Sequence, residues 1–227
     1  MNKLFCRENG EGDPIILLHG NGEDGSRFEK QTEHFGKRMH VYAVDTPGHG
    51  QSDRGEGAFS LYRFADDLKD FMEDRGITKA TVLGFSDGGN IALIFALKYP
   101  EAVERLILNG ANLRPSGVKA SVQFPICIGY LTASFISLFD KKALKKRDIL
   151  GLMVKEPDID EKELGKIKCP TLVIAGTKDM IKEKHTRAIA AGISGSELVF
   201  IEGDHFIAYE KPDEFNRAVD AFLAENG

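Results

Sequence analysis

The chain has 227 residues, 42 % of them apolar and 29 % charged, with a formal net charge of −5. That balance excludes intrinsic disorder, and the negative charge leaves no electrostatic reason to expect nucleic acid as a partner. The length suits one sizeable α/β domain with an elaboration and is short for two independent domains.

Three cysteines, Cys6, Cys127 and Cys169, are widely spaced and odd in number. They form no C-x-x-C pair, so no metal or redox site is expected and a reduced compartment fits. The opening "MNKLFCRENG" has no apolar core followed by a small-residue cleavage site. The expected location is therefore cytoplasmic.

The first apolar run is "PIILL" (Pro14 to Leu18), followed by the loop "HGNGEDG". Ser26 and Glu29 read as a capping box ahead of "RFEKQTEHF". "VYAV" (Val41 to Val44) leads into the turn "DTPGHGQS", which Asp45 is expected to fix. Ser60 then precedes Leu61, Phe64, Leu68, Phe71 and Met72, an apolar stripe at helical spacing that Gly76 stops.

"TVLGF" (Thr81 to Phe85) runs directly into "GFSDGG" and the helix-like "GGNIALIFALKYP". "RLIL", "TLVIA" and "LVFI" follow, and a last helix starting near Pro212 buries Phe215, Val219, Phe222 and Leu223. The runs are nearly continuous rather than alternating, as parallel strands buried on both faces require. Strands alternating with helices predict a doubly wound α/β sheet.

The alternation breaks over 111–168, which reads as a helical cap inserted into a core made of 1–110 and 169–227. Within it, "ASVQFPICIGYLTASFISLF" (Ala120 to Phe139) carries no charge and has the length of a membrane span. Its Gln123, Pro125, Gly129, Thr132 and serines argue otherwise. A single span would also separate Ser86 from His205, so no membrane span is expected. Phe124, Ile126, Ile128, Tyr130, Leu131, Phe135, Ile136 and Phe139 are expected to make the cap's core and its seam with the sheet. Their surplus suggests an apolar acyl or aromatic pocket, or a homodimer face. The basic run "KKALKKR", Lys141 to Arg147, reads as a solvated cap face; an anionic membrane surface or an acidic substrate is the alternative.

Ser86 lies in a G-x-S-x-G spacing between a strand and a helix, where Gly84 and Gly88 let two backbones pass closely. A serine hydroxyl is a weak nucleophile and needs a base and an orienting acid. His205, in "IEGDHF", and Asp179, in "IAGTKDMI", both follow strands, at the carboxyl edge where open α/β sheets place their chemistry. Asp204 adjoins His205 and its side chain would diverge from the ring, so a loop role is expected. Asn109 and Gly110 follow "LIL", leaving Asp179 unopposed as the acid. His34, His40 and His185 read as surface or strand-start residues, and His49 as structural. The oxyanion hole is expected from the backbone N–H groups of Asp87 and Asn21, with His19 bonding the loop backbone.

"LLHGNG", "VDTPGHGQSD", "GFSDGG", "GTKD" and "GDHF" together resemble the α/β-hydrolase superfamily, in its single-cap, triad type. "GFSDGGNIALIFALKYPEAVERLILNGAN" resembles the valacyclovir hydrolase-like branch. The resemblance implies a mostly parallel sheet of about seven strands with a small cap after the sixth. Only "NKLFCR" stands where most relatives have a two-stranded start, so the sheet should be one strand shorter. It also implies a serine hydrolase acting on a small carboxylic ester or related acyl compound, with no cofactor. In that branch an acid after the nucleophile helps bind the α-amino group of amino-acid esters; the position here is Asp87. A first-turn acid also gains about 0.3–1 kcal/mol from the helix dipole without any ligand. Hydrolysis of a C–C bond in a β-diketone-like compound, perhaloperoxidase-like side chemistry, or a low-turnover receptor on the same fold are the rival readings. A haloalkane dehalogenase or epoxide hydrolase is disfavoured, because those carry an aspartate where this chain has Ser86.

Overall fold

The computed structural model describes residues 3–227. Seven strands form one sheet: β1 (Cys6–Asn9), β2 (Pro14–Leu18), β3 (His40–Val44), β4 (Ala80–Phe85), β5 (Val103–Asn109), β6 (Thr171–Gly176) and β7 (Glu197–Ile201). Their spatial order is β1-β3-β2-β4-β5-β6-β7. Only the β1–β3 pair is antiparallel; the other pairings are parallel.

The helices are α1 (Glu29–Phe35), α2 (Leu61–Asp74), α3 (Asp87–Lys98), α4 (Ala120–Ile136), α5 (Ala143–Lys155), α6 (Glu183–Gly192), α7 (Ile207–Glu210) and α8 (Pro212–Glu225). Successive strand side chains alternate between two cores, as the pleat dictates. Ile16 and Leu18 join Val82, Leu106 and Val173 under α2, α3 and α6. Ile15 and Leu17 join Leu83, Ile107 and Leu172 beneath α1 and α8. Covering both faces is why the runs are continuously apolar.

Ser60 caps α2 as expected, its side chain accepting the Tyr62 N–H, and Gly76 stops it at φ +68°. The Ser26–Glu29 capping box does not form. Asp24 takes the Ser26 N–H at 2.8 Å and starts a short 3-10 turn, Gly25–Phe28, so Ser26 lies inside the turn. α1 then begins at Glu29 without a side-chain cap.

The helical insertion follows the fifth strand in chain order rather than the sixth, because a single short strand, β1, opens the chain. It is a hairpin of α4 and α5, joined where Gln123 Nε2 donates to Met153 O at 3.0 Å. The expectation that its large apolar residues form a core is overturned. Ala133 is the one buried residue of α4, while Phe124, Ile128, Leu131, Phe135 and Ile136 are exposed. α4 packs mainly on α5, which it meets near Gly129 and Tyr130. Its other side, with Phe124, Leu131 and Phe135 each about two-thirds exposed, faces outward. Ile126 and Tyr130 are half-buried. No helix is long and apolar enough to cross a membrane among the described residues.

Candidate active site

β4 ends at Phe85 and α3 begins at Asp87, so Ser86 alone makes the turn. Its φ of +55° is the one positive value at a non-glycine among the described residues. Such a conformation costs on the order of 1–3 kcal/mol and persists only when its surroundings hold it. Two bonds do so: Ser86 N donates to Asn109 O at 2.8 Å, and Asn90 N donates to Ser86 O at 3.0 Å. The flanking glycines are required by contact. A Cβ on Gly84 would come within 2.1 Å of Gly88 O, and one on Gly88 within 2.0 Å of Leu18 O.

Asp179 follows β6, and His205 follows β7. The two are buried and joined, with Nδ1 of His205 2.7 Å from Oδ1 of Asp179. Asp179 Oδ1 also accepts the Ile181 N–H at 2.8 Å, which orients the carboxylate. With Nδ1–H committed to Asp179, a neutral His205 presents Nε2 as the acceptor. That atom is buried and has no hydrogen-bond partner, so no bond to Ser86 is formed.

His205 nevertheless lies beside the serine turn. Its ring centroid is 4.8 Å from that of Phe85, the residue before Ser86. It also packs on Gly110, just after the Asn109 carbonyl that holds Ser86 N; a Cβ there would meet His205 Cε1 at 2.7 Å.

The loop after β2 passes against the start of α3. Asn21 Nδ2 donates to Asp87 Oδ2 at 2.8 Å and to Ile149 O of α5 at 2.9 Å. Asn90 Nδ2 lies 3.4 Å from Asp87 Oδ1. Burial pushes the Asp87 carboxyl up to about 6, against the opposing pull of those two amides. His19 Nδ1 bonds Gly20 O at 2.8 Å, while its Nε2 accepts the Thr46 N–H at 2.9 Å. Burial lowers its pKa to about 4, which fits a neutral ring bonding the loop at both nitrogens.

The remaining candidates take structural places. Asp204 Oδ1 accepts the Phe206 N–H two residues on. Asp45 accepts the Gly25 and Gln51 N–H groups and pairs with Arg7. His49 is buried beside Thr46, and His34 bonds Asp220. His40 stacks on Tyr42, and His185 is half-buried in α6.

A small cavity of about 10 Å³ is lined by Ser86, Asp87, Asn112, Val118, Met153, Glu156, Met180 and Ile181. Glu156 was not foreseen. It follows α5, and its Oε2 accepts the Leu61 N–H at 2.7 Å and the Ser60 hydroxyl at 3.2 Å. In the sequence it stands in the polar run "EPDIDEKELGKIK", where no spacing separates it from its neighbours. Asn112, whose N–H donates to Asn90 Oδ1 at 2.9 Å, was equally silent. No group of three metal-ligating side chains occurs among the described residues.

The family profile described as alpha/beta hydrolase fold matches residues 13–126. The chain belongs to the α/β-hydrolases. Among curated relatives of this α/β-hydrolase, the serine hydrolase BPHL of Mus musculus is 30% identical over 97% of this chain and 82% of its own. A Klebsiella pneumoniae 2-hydroxy-6-oxononadienedioate/2-hydroxy-6-oxononatrienedioate hydrolase is 27% identical over 98% of this chain and 91% of its own. The crystal structure of an enol-lactonase from Burkholderia xenovorans LB400 superposes with a TM-score of 0.83, at 23% identity, over 98% and 97% of the two chains. That last likeness concerns the fold alone. The resemblance to serine hydrolases read from the sequence motifs stands.

Proposed function

We propose that this α/β-hydrolase is a serine hydrolase that cleaves a small carboxylic ester or related acyl compound through an acyl-enzyme. The observation carrying this reading is the buried His205, bonded to Asp179 at Nδ1, with an unpartnered Nε2 beside the strained Ser86 turn. Ser86 Oγ attacks the carbonyl carbon as His205 Nε2 takes its proton. Asp179 holds the imidazole and stabilises its charged form. The N–H groups of Asp87, at the start of α3, and Asn21 donate to the developing oxyanion. His205 returns the proton to the leaving group, then activates the water that clears the acyl group from Ser86. None of these steps needs a metal or an organic cofactor. The α4–α5 hairpin serves as the cap over the substrate.

Asp87 and Glu156, both lining the cavity with Ser86, favour a substrate with a cationic amine near the scissile bond. An ammonium there would offset the burial that raises the Asp87 pKa.

The test is labelling with a fluorophosphonate probe, mapped by peptide mass spectrometry. Labelling confined to Ser86, absent in Ser86→Ala and strongly reduced in Asp179→Asn and His205→Ala, is expected. Folded wild-type protein that takes no label, or labels elsewhere, would overturn the reading and favour a receptor on the same fold.

A further inference from the structure

α4 and the turn after it carry Phe124, Ile128, Leu131, Phe135 and Leu138 at alternating spacings of four and three, so all five share one helix face. That face points outward: Phe124 is 68 % exposed, Phe135 66 % and Leu138 74 %, with Phe139 beside them at 80 %. Together with Ile136, these make seven of the nine large apolar side chains exposed among the described residues. A contiguous apolar face of this kind marks a docking surface rather than ordinary scatter.

Charge decides what docks. The segment 119–155 holds seven basic residues and two acidic ones, in a chain whose net charge is −5. Both acids are occupied: Asp140 takes the Lys142 N–H, and Asp148 pairs with Arg54 and Arg147. Lys141, Lys142, Lys145 and Lys146 are exposed and form no ion pair among the described residues. The apolar face therefore ends in net positive charge.

We propose that this face seats the protein on the surface of an anionic lipid bilayer. α4, 17 residues and so about 25 Å long, lies in the interface with its aromatic and aliphatic face below the headgroups. The lysines at its carboxyl end meet the lipid phosphates, their stems running along the apolar boundary. A second copy of the chain fits less well. Antiparallel pairing of two α4 helices sets Lys119 of one copy near Lys141 and Lys142 of the other, and parallel pairing brings the two lysine clusters together. Both arrangements oppose like charges, whereas an anionic surface neutralises them.

Co-sedimentation with vesicles tests this, comparing phosphatidylcholine alone with phosphatidylcholine containing about a third phosphatidylserine. Wild type should bind the anionic vesicles and be released by high salt. The partition coefficient should fall at least about tenfold both in Phe124→Ser/Leu131→Ser/Phe135→Ser and in Lys141→Glu/Lys142→Glu/Lys146→Glu. Unchanged thermal melting establishes that each variant is folded; the single changes Phe135→Ser and Lys142→Glu should give smaller losses in the same direction. Wild type that ignores anionic vesicles, or variants that bind as it does, would overturn the proposal. A wild-type dimer in sedimentation equilibrium that the apolar variant dissociates, with no vesicle binding, would assign the face to a second copy instead.

Discussion

Asp87 is buried at the first position of α3, between the amides of Asn21 and Asn90, with its pKa raised from 3.8 to about 6. Between those values the folded state binds more protons than the unfolded state, so this group's contribution to stability falls as pH rises through the window. Below it the carboxyl is neutral in both states and imposes no penalty; above it the full penalty is present. Asp87→Asn should therefore be more stable than wild type at pH 7, by up to about 3 kcal/mol, with the gain fading below about pH 4. Urea denaturation across that range checks it; a gain independent of pH would assign the effect to hydrogen bonding rather than to charge. The same variant should lose activity on amino-acid esters selectively, and equal losses on uncharged esters would sink the amine reading. Sequence spacing could point to Asp87 as an acid after the serine. It could not show that Asn21, 66 residues earlier in the chain, would hold it.

Elements were legible where one local signal had no competitor. α2 starts at Ser60 because a serine precedes a clean apolar stripe. The Ser26–Glu29 box was overridden because Asp24, two residues earlier, offers a carboxylate that also meets Arg7 at 3.3 Å. At the end of β5 the decisive position is Gly110, at φ +64°, whose missing side chain leaves room for His205. Gly110→Ala adds a left-handed alanine, costing about 1–2 kcal/mol, and a Cβ that would stand 2.7 Å from His205 Cε1. The ring must then shift against Asp179. The expected result is a fall in kcat of at least about 100-fold with only a modest drop in Tm. Near-normal turnover would mean that His205 does not act from this position. The outward face of α4 was not legible, because periodicity finds a stripe and does not say what lies against it.

Across the whole molecule, the cavity that Ser86 lines together with Met153 and Glu156 has about 10 Å³, roughly the space of one water. A bulky ester is therefore expected to reach Ser86 by movement of the α4–α5 hairpin. Its polar ties to the core are Arg54 to Asp148 at 2.7 Å, Asn21 to Ile149 O, and Glu156 to the Leu61 N–H, and Leu152 of α5 is buried in the core under α2 and α3. Arg54 is 45 % exposed, so its ion pair contributes less than about 1 kcal/mol. Arg54→Gln should lower Tm slightly while raising kcat/KM for bulky esters relative to acetates. An unchanged ratio would mean that this pair does not restrain opening.

By itself the sequence determined the mostly parallel α/β architecture, since six continuous apolar runs alternating with amphipathic helices can bury both sheet faces in few other ways. The seventh strand, β1, has the polar sequence CREN and was implied only by the family resemblance. Its motifs also pointed to the strand ends from which Ser86, Asp179 and His205 would come. Only the tertiary structure decided the 2.7 Å contact between Asp179 and His205, the arrival of Glu156 beside Ser86, and the exposure of α4. Those depend on segments far apart in the chain meeting, or failing to meet, in space. Local pattern records a residue's own preference for burial or charge, and carries nothing about the partner that will satisfy it.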